Sequence, residues 1–200
     1  PSERKGAWPQ FRGPERAGTG APARVERLLG DKPPEPLWSV AVCDGYAGPV
    51  IADGRVYILD HDPKPREDAL RCLSLEDGSE LWRYTYHARI KRNHGITRTT
   101  PAVGGGCVVS LGPLCRVLCL EAETGKRRWE IDLVAEQGTK VPQWYAGQCP
   151  LIDGECAILA PGGKALLMAV ELATGKTRWA TPNPRRSEER RVGKECRSRW

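Results

Sequence analysis

The feature that most constrains this chain is a unit that it writes three times. The copies are Ala69–Tyr86 (ALRCLSLEDGSELWRYTY), Arg116–Leu133 (RVLCLEAETGKRRWEIDL) and Ala165–Pro182 (ALLMAVELATGKTRWATP). Each has an alternating apolar run, a short polar turn ending in glycine (Gly78, Gly125, Gly175) and a tryptophan four residues later (Trp82, Trp129, Trp179). The tryptophan spacings are 47 and 50 residues. One unit of that length cannot bury its own apolar face, so repetition at this period marks supersecondary units stacked on one another.

Each copy reads as a hairpin. In the middle copy Val117 and Cys119 fall on one face of a strand, and Leu118 and Leu120 on the other. Both faces are apolar, which predicts a strand covered on both sides. Glu123-Thr124-Gly125-Lys126 is a tight turn with glycine where positive φ would strain any side chain. A tryptophan at the same place in every unit reads as a packing anchor between neighbours, since its side chain buries about 200 Å². Trp38 fits the same structural role one unit earlier.

A second pattern precedes each hairpin. Gly48–Leu59, Thr100–Leu111 and Cys149–Leu159 each have proline at a strand start, a short strand, an Asp-Gly or Gly-Gly turn, and a second strand. Added to the hairpin this makes four antiparallel strands, and a four-stranded sheet repeated at this period is a propeller blade. The fold class expected is all-β, a β-propeller with about three blades, at 47–86, 99–133 and 148–182. Residues 1–36, rich in proline, glycine and charge, read as an extended arm with Trp8 and Phe11 pinning it to the propeller surface. Residues 37–42 read as an orphan strand of a further blade.

Net charge decides little. Of the formal +6, residues 185–200 supply +4 from seven basic and three acidic residues. That segment has no apolar periodicity, resembles translated vector or adapter read-through, and is set apart from the fold as a non-native tail. A nucleic-acid partner would rest on it alone, so none is expected. No apolar run of 18 residues is present, so no membrane span is expected. The chain begins at Pro1 without methionine, and both ends read as truncated.

The pattern A-x-[TD]-G-[KS]-x-x-W at Glu121–Trp129 and Glu171–Trp179, degenerate at Glu76–Trp82, resembles the tryptophan-docking repeat of the pyrroloquinoline quinone (PQQ)-like β-propeller superfamily. That superfamily includes quinoprotein alcohol dehydrogenases and the BamB-type outer-membrane assembly lipoprotein. The WPQFRGP opening, TTPAVGGG, VPQWYAGQCPLIDG and ILAPGGKAL resemble bacterial exported members of it. The resemblance implies a periplasmic or otherwise extracytoplasmic location, although no export signal is visible. Its enzymes hold PQQ beneath a disulfide of adjacent cysteines, beside a calcium bound by Glu, Asn and Asp; no Cys-Cys pair occurs in this sequence. PQQ and calcium are therefore implied by the resemblance alone. Two readings follow: a binding or scaffold module with a protein or small-molecule ligand on a propeller face, or a PQQ-dependent dehydrogenase whose catalytic blades lie elsewhere.

Site candidates come from the long connections, Tyr86–Thr100 and Val134–Gln148, because loops on a rigid scaffold concentrate binding residues. Tyr-Ala-Gly recurs at Tyr46–Gly48 and Tyr145–Gly147, which would aim both tyrosines at the central opening. His94, Arg98, Trp144, Tyr145 and Gln148 then either form a polar-aromatic pocket rim or satisfy loop backbone and inter-blade contacts. No catalytic residues are assigned. Cys107 is expected opposite Cys119, with buried free thiols favoured over a disulfide framework. The scattered histidines and unpaired cysteine spacings predict no metal site. Ala173–Thr177 mimics the end of a phosphate loop, but Val170 stands where glycine is needed.

Overall fold

The computed structural model describes residues 6–20, 35–91 and 96–184. The tail from 185 and the candidate His94 lie outside these residues. Among the described residues twelve strands form three four-stranded antiparallel sheets, each in simple sequence order. The first holds β1 (Val50–Ala52), β2 (Arg55–Asp62), β3 (Glu67–Ser74) and β4 (Glu80–His87). The second holds β5 (Ala102–Gly104), β6 (Cys107–Leu111), β7 (Arg116–Glu121) and β8 (Arg127–Asp132). The third holds β9 (Leu151–Asp153), β10 (Cys156–Leu159), β11 (Ala165–Glu171) and β12 (Thr177–Pro182). These are three blades of an all-β propeller fold.

The two-faced apolar strands put the cores between sheets. Leu70, Cys72, Leu118 and Leu120 pack together between the first and second blades. Val117, Cys119, Leu159, Met168 and Val170 do so between the second and third. β7 thus contributes alternate residues to two cores, as its pattern requires.

The tryptophans recur in one geometry. Trp82 pairs with Cys72, Trp129 with Cys119 and Trp179 with Ala169 across the outer ladder, and in each sheet the register slips by one residue beside that pair. Such a bulge bends the outer strand and re-aims the ring. The Trp82 indole donates to Ala122 O (3.1 Å) and Trp129 to Leu172 O (2.9 Å), each acceptor three residues before the turn glycine of the next sheet. Trp38 does the same to Leu75 O (3.0 Å) ahead of Gly78. Gly78, Gly125 and Gly175 have φ of 71–73°, and a Cβ on any of them would stand 2.6–2.8 Å from the docked ring. Glycine is thus required twice over, by the backbone and by the ring. Trp179 has no such neighbour among the described residues and is 44% exposed.

Two expectations need correction. Leu37–Val42 is not a strand. No neighbouring strand among the described residues pairs with it; side chains engage the backbone here instead, with Arg71 Nη1 donating to Ala41 O (2.9 Å) and, just after the segment, Cys43 N donating to Asp60 Oδ1 (2.8 Å). Cys107 stands opposite Glu121, and Cys119 opposite Val109, because the turn extends through Cys115, which takes positive φ before β7 begins. The two thiols are diagonal neighbours; the Cys119 thiol donates to Leu172 O (3.8 Å), and its proximity, with Arg128 Nη1 at 2.8 Å from the Cys107 sulfur, holds the Cys107 thiol below its ordinary pKa. The described cysteines are free.

Candidate functional site

Antiparallel order sends the β2–β3 connection of each blade and the long link to the next blade out of the same end. That end gathers the long loops, and it holds a crevice of about 490 Å³ between the second and third blades. Its apolar lining includes buried Leu111, Cys115, Leu133, Ala146 and Pro161, and exposed Pro142 stands at its rim.

One wall is a short helix, where the sequence predicts only a connection. In α1 (Leu133–Gln137) Asp132 Oδ1 accepts from Val134 N and Ala135 N, and Gly138 at φ 64° closes the last turn. An aspartate cap and a glycine stop suffice to hold so short a helix once Leu133 is buried. The Gln137 carbonyl then accepts from Lys164 N (2.7 Å), which fastens the helix to the third blade.

The polar side chains of the crevice hold its walls. Thr139 Oγ1 donates to Pro161 O (2.9 Å) and Gln148 Oε1 accepts from Ala160 N (3.1 Å). Asn183 Nδ2 donates to Gly162 O and Gly163 O (3.3 and 3.2 Å). Lys140 is the charged side chain among the described lining residues. The arrangement offers a shaped apolar floor, a cation at the rim and peptide groups around it.

The other sequence candidates separate. Gln148 lines the crevice, whereas Trp144 is exposed on the loop surface. Arg98 lies under the same loop: its Nη2 donates to Tyr145 O (3.3 Å), and a Cβ on Gly147 would stand 2.8 Å from the guanidinium. The Tyr145 hydroxyl accepts from Lys91 N (2.7 Å) and donates to Lys91 O (3.1 Å), so it ties two inter-blade loops together. Tyr46 is 66% exposed and its amide donates to Thr97 O. The two Tyr-Ala-Gly triplets are out of step: Tyr46 precedes its blade's Pro49 by three residues, Tyr145 precedes Pro150 by five.

Sequence reasoning missed two buried polar clusters around the first blade. Asp68 is fully buried and accepts from Tyr86 Oη (2.6 Å) and Thr97 Oγ1 (2.5 Å). Burial and the adjacent carboxylate push the Tyr86 phenol well above its ordinary pKa, and Arg116 stacks over the ring at 5.4 Å while pairing with Glu130. On the blade's opposite face, buried Arg71 pairs with Asp60 (3.0 Å) and Glu80 (2.7 Å). The available signal was a charge inside an apolar alternation: Arg71 in ALRCL, and Asp68 just before it.

Comparison with known proteins places the chain. A family model described as outer membrane protein assembly factor BamB matches residues 66–193. The serine/threonine-protein kinase AfsK of Streptomyces griseus is 31% identical over 158 residues, covering 76% of this chain and 18% of that protein. Among solved structures, BamB from Moraxella catarrhalis aligns with a TM-score of 0.54 at 16% identity, over 73% of this chain and 43% of its own. Quinohemoprotein alcohol dehydrogenase ADHIIG from Pseudomonas putida HK5 aligns at 0.52 and 20% identity, over 73% and 22%. The two structural likenesses show the fold alone. The chain spans less than a fifth of the curated relative and under half of either structure.

Proposed function

The chain belongs to the family of the outer membrane protein assembly factor BamB, and on that premise we propose that it is an extracytoplasmic binding module that receives a polypeptide partner on the loop-bearing face of its blades. The observation that carries this reading is the crevice between the second and third blades. Its floor is apolar, Thr139 Oγ1, Gln148 Oε1 and Asn183 Nδ2 hold backbone, and exposed Trp144 stands on the loop that forms one wall. A rigid apolar cleft with a polar rim and an aromatic beside it suits an extended amphipathic peptide, whose backbone can meet the rim peptide groups. The tryptophan docking of one blade on the next supplies the rigidity.

A PQQ-dependent reading meets a poor fit in this part of the molecule. Calcium prefers several oxygen ligands with carboxylates among them, and the described crevice residues include no carboxylate. A tricarboxylate quinone needs cations and a stacking surface, whereas the lining offers Lys140 and no aromatic ring. No step is assigned to that group.

The test is a titration of the chain with fluorescent peptides of alternating aromatic and polar residues, read by anisotropy. Saturable binding that weakens about tenfold in Trp144→Ala or Lys140→Glu, with thermal stability unchanged, is the expected result. Equal binding by both variants and the parent would remove the crevice from the account.

A further inference from the structure

Within each sheet the first strand pairs along one edge with the second strand. The other edges belong to β1, β5 and β9, whose central residues Ile51, Val103 and Ile152 are equivalent: each follows by two the proline that opens its blade (Pro49, Pro101, Pro150). One segment near the N-terminus reaches all three. Trp8 and Ile51 exchange two backbone hydrogen bonds, of 2.8 and 3.0 Å. The Pro9 carbonyl accepts from the Val103 amide at 2.7 Å. Arg16 Nη2 donates to Ile152 O at 3.3 Å and lies 3.6 Å from Asp153 Oδ1.

Between these contacts the segment is folded tightly. Gln10 O accepts from Gly13 N and Gly13 O from Arg16 N, which turns the chain so that Arg16 reaches β9. Gly13 lies under the Trp8 ring, where a Cβ would come within 2.9 Å. Gln10 is 8% exposed, and its Oε1 has no hydrogen-bond partner. The same backbone position is thus met in three successive sheets by one nine-residue stretch. A row of open strand edges is a template for an added polypeptide, with main-chain hydrogen bonds giving affinity and side-chain fit giving selectivity. Proline suits the second position, since it has no N–H to leave unpaired and its carbonyl is the group used.

We propose that the inner strand edges at Ile51, Val103 and Ile152 form a polypeptide-binding site, occupied in cis by Trp8–Arg16, that takes in trans a Trp-Pro segment able to make the same turns and carrying arginine eight residues after the tryptophan. The resident segment competes with any incoming one at the high effective concentration of a tethered ligand, so its release opens the site. This surface lies on the inner strands, apart from the inter-blade crevice, and is tested separately.

The experiment uses the full chain, its Trp8→Ala and Arg16→Ala variants, and a fluorescent peptide of residues 6–18. Trp8→Ala should bind the peptide saturably and at least tenfold more tightly than the parent, whose own segment competes. The Ile51 and Val103 amides should exchange with solvent at least tenfold faster in that variant and slow again when peptide is added. A peptide carrying the same Trp8→Ala change should not bind. Should Trp8→Ala fail to fold, Arg16→Ala, which keeps the Trp8–Ile51 pair, should still bind the peptide several-fold more tightly than the parent. Absence of peptide capture by the folded variants, or unchanged exchange at both amides in Trp8→Ala, would overturn the proposal.

Discussion

Arg71 shows what one residue does when an apolar alternation is broken deliberately. Its guanidinium is buried, pairs with Asp60 and Glu80, and donates to Ala41 O, so it fastens the segment before the first blade to that blade's outward face. Removing one partner of a buried ion pair leaves an uncompensated charge, which costs about 3–5 kcal/mol. Arg71→Ala should lower stability by about that amount in urea unfolding, and Arg71→Met, which refills the volume, should cost no less because it too removes the charge paired with Asp60 and Glu80. Acid should act through Glu80. The hydrogen bond from Arg83, and after it that from Arg71, hold this carboxyl below its ordinary value of 4.5. A carboxyl so depressed stabilises the fold above its unfolded pKa, and the contribution is lost as pH falls through the lower folded value. Glu80→Gln should therefore be less stable than the parent at pH 7, with the difference closing below about pH 4.5. The sequence placed Arg71 within a strand but not its partners, because Asp60 and Ala41 reach it through a register and a covering segment that spacing alone does not encode.

At the scale of the element, the repeated hairpin was legible almost in full. The turn glycines, the outer strands and the tryptophans follow from local chemistry written three times, and repetition removes the ambiguity that a single copy would leave. The bulge beside each tryptophan was not legible, since a one-residue slip depends on where the ring lies on the next sheet. Nor was α1: five residues carry no helical period, and only Asp132 and Gly138 marked its ends. Leu37–Val42 misled because its alternation is that of a strand, whereas a strand exists only with a partner. The docked geometry carries its own test. Trp129 is 8% exposed and Trp179 44%. Trp129→Ala should cost about 3–5 kcal/mol. Trp129→Phe keeps most of the area but leaves Leu172 O with only the weaker Cys119 thiol donor at 3.8 Å, for about 0.5–1.5 kcal/mol. Trp179→Ala should cost about 1 kcal/mol or less in this chain, in keeping with a solvent-facing ring. Equal losses at Trp129 and Trp179 in chemical denaturation would contradict the order of docking described for the second and third blades.

For the whole molecule, three sheets share two cores, and one end of the sheets carries the long connections while the other carries tight turns. That asymmetry follows from the repeat, because antiparallel order fixes which connections leave together. The candidate site was legible only in outline: Gln148 lies in the crevice, Arg98 and Tyr145 brace the loop beside it, and Trp144 stands outside. Loop side chains reached by no periodicity had no reason to sort themselves in the sequence. The same fold serves both an assembly factor and an oxidoreductase, so architecture cannot choose between them and the chemistry of the site must. The direct measurement is a titration of the chain with PQQ and calcium, following quinone absorbance and dye-linked alcohol oxidation, with the peptide titration run on the same preparation. A binding module should bind peptide to an extent that added quinone and calcium leave unchanged, with no dye reduction; saturable quinone binding with turnover would contradict that role.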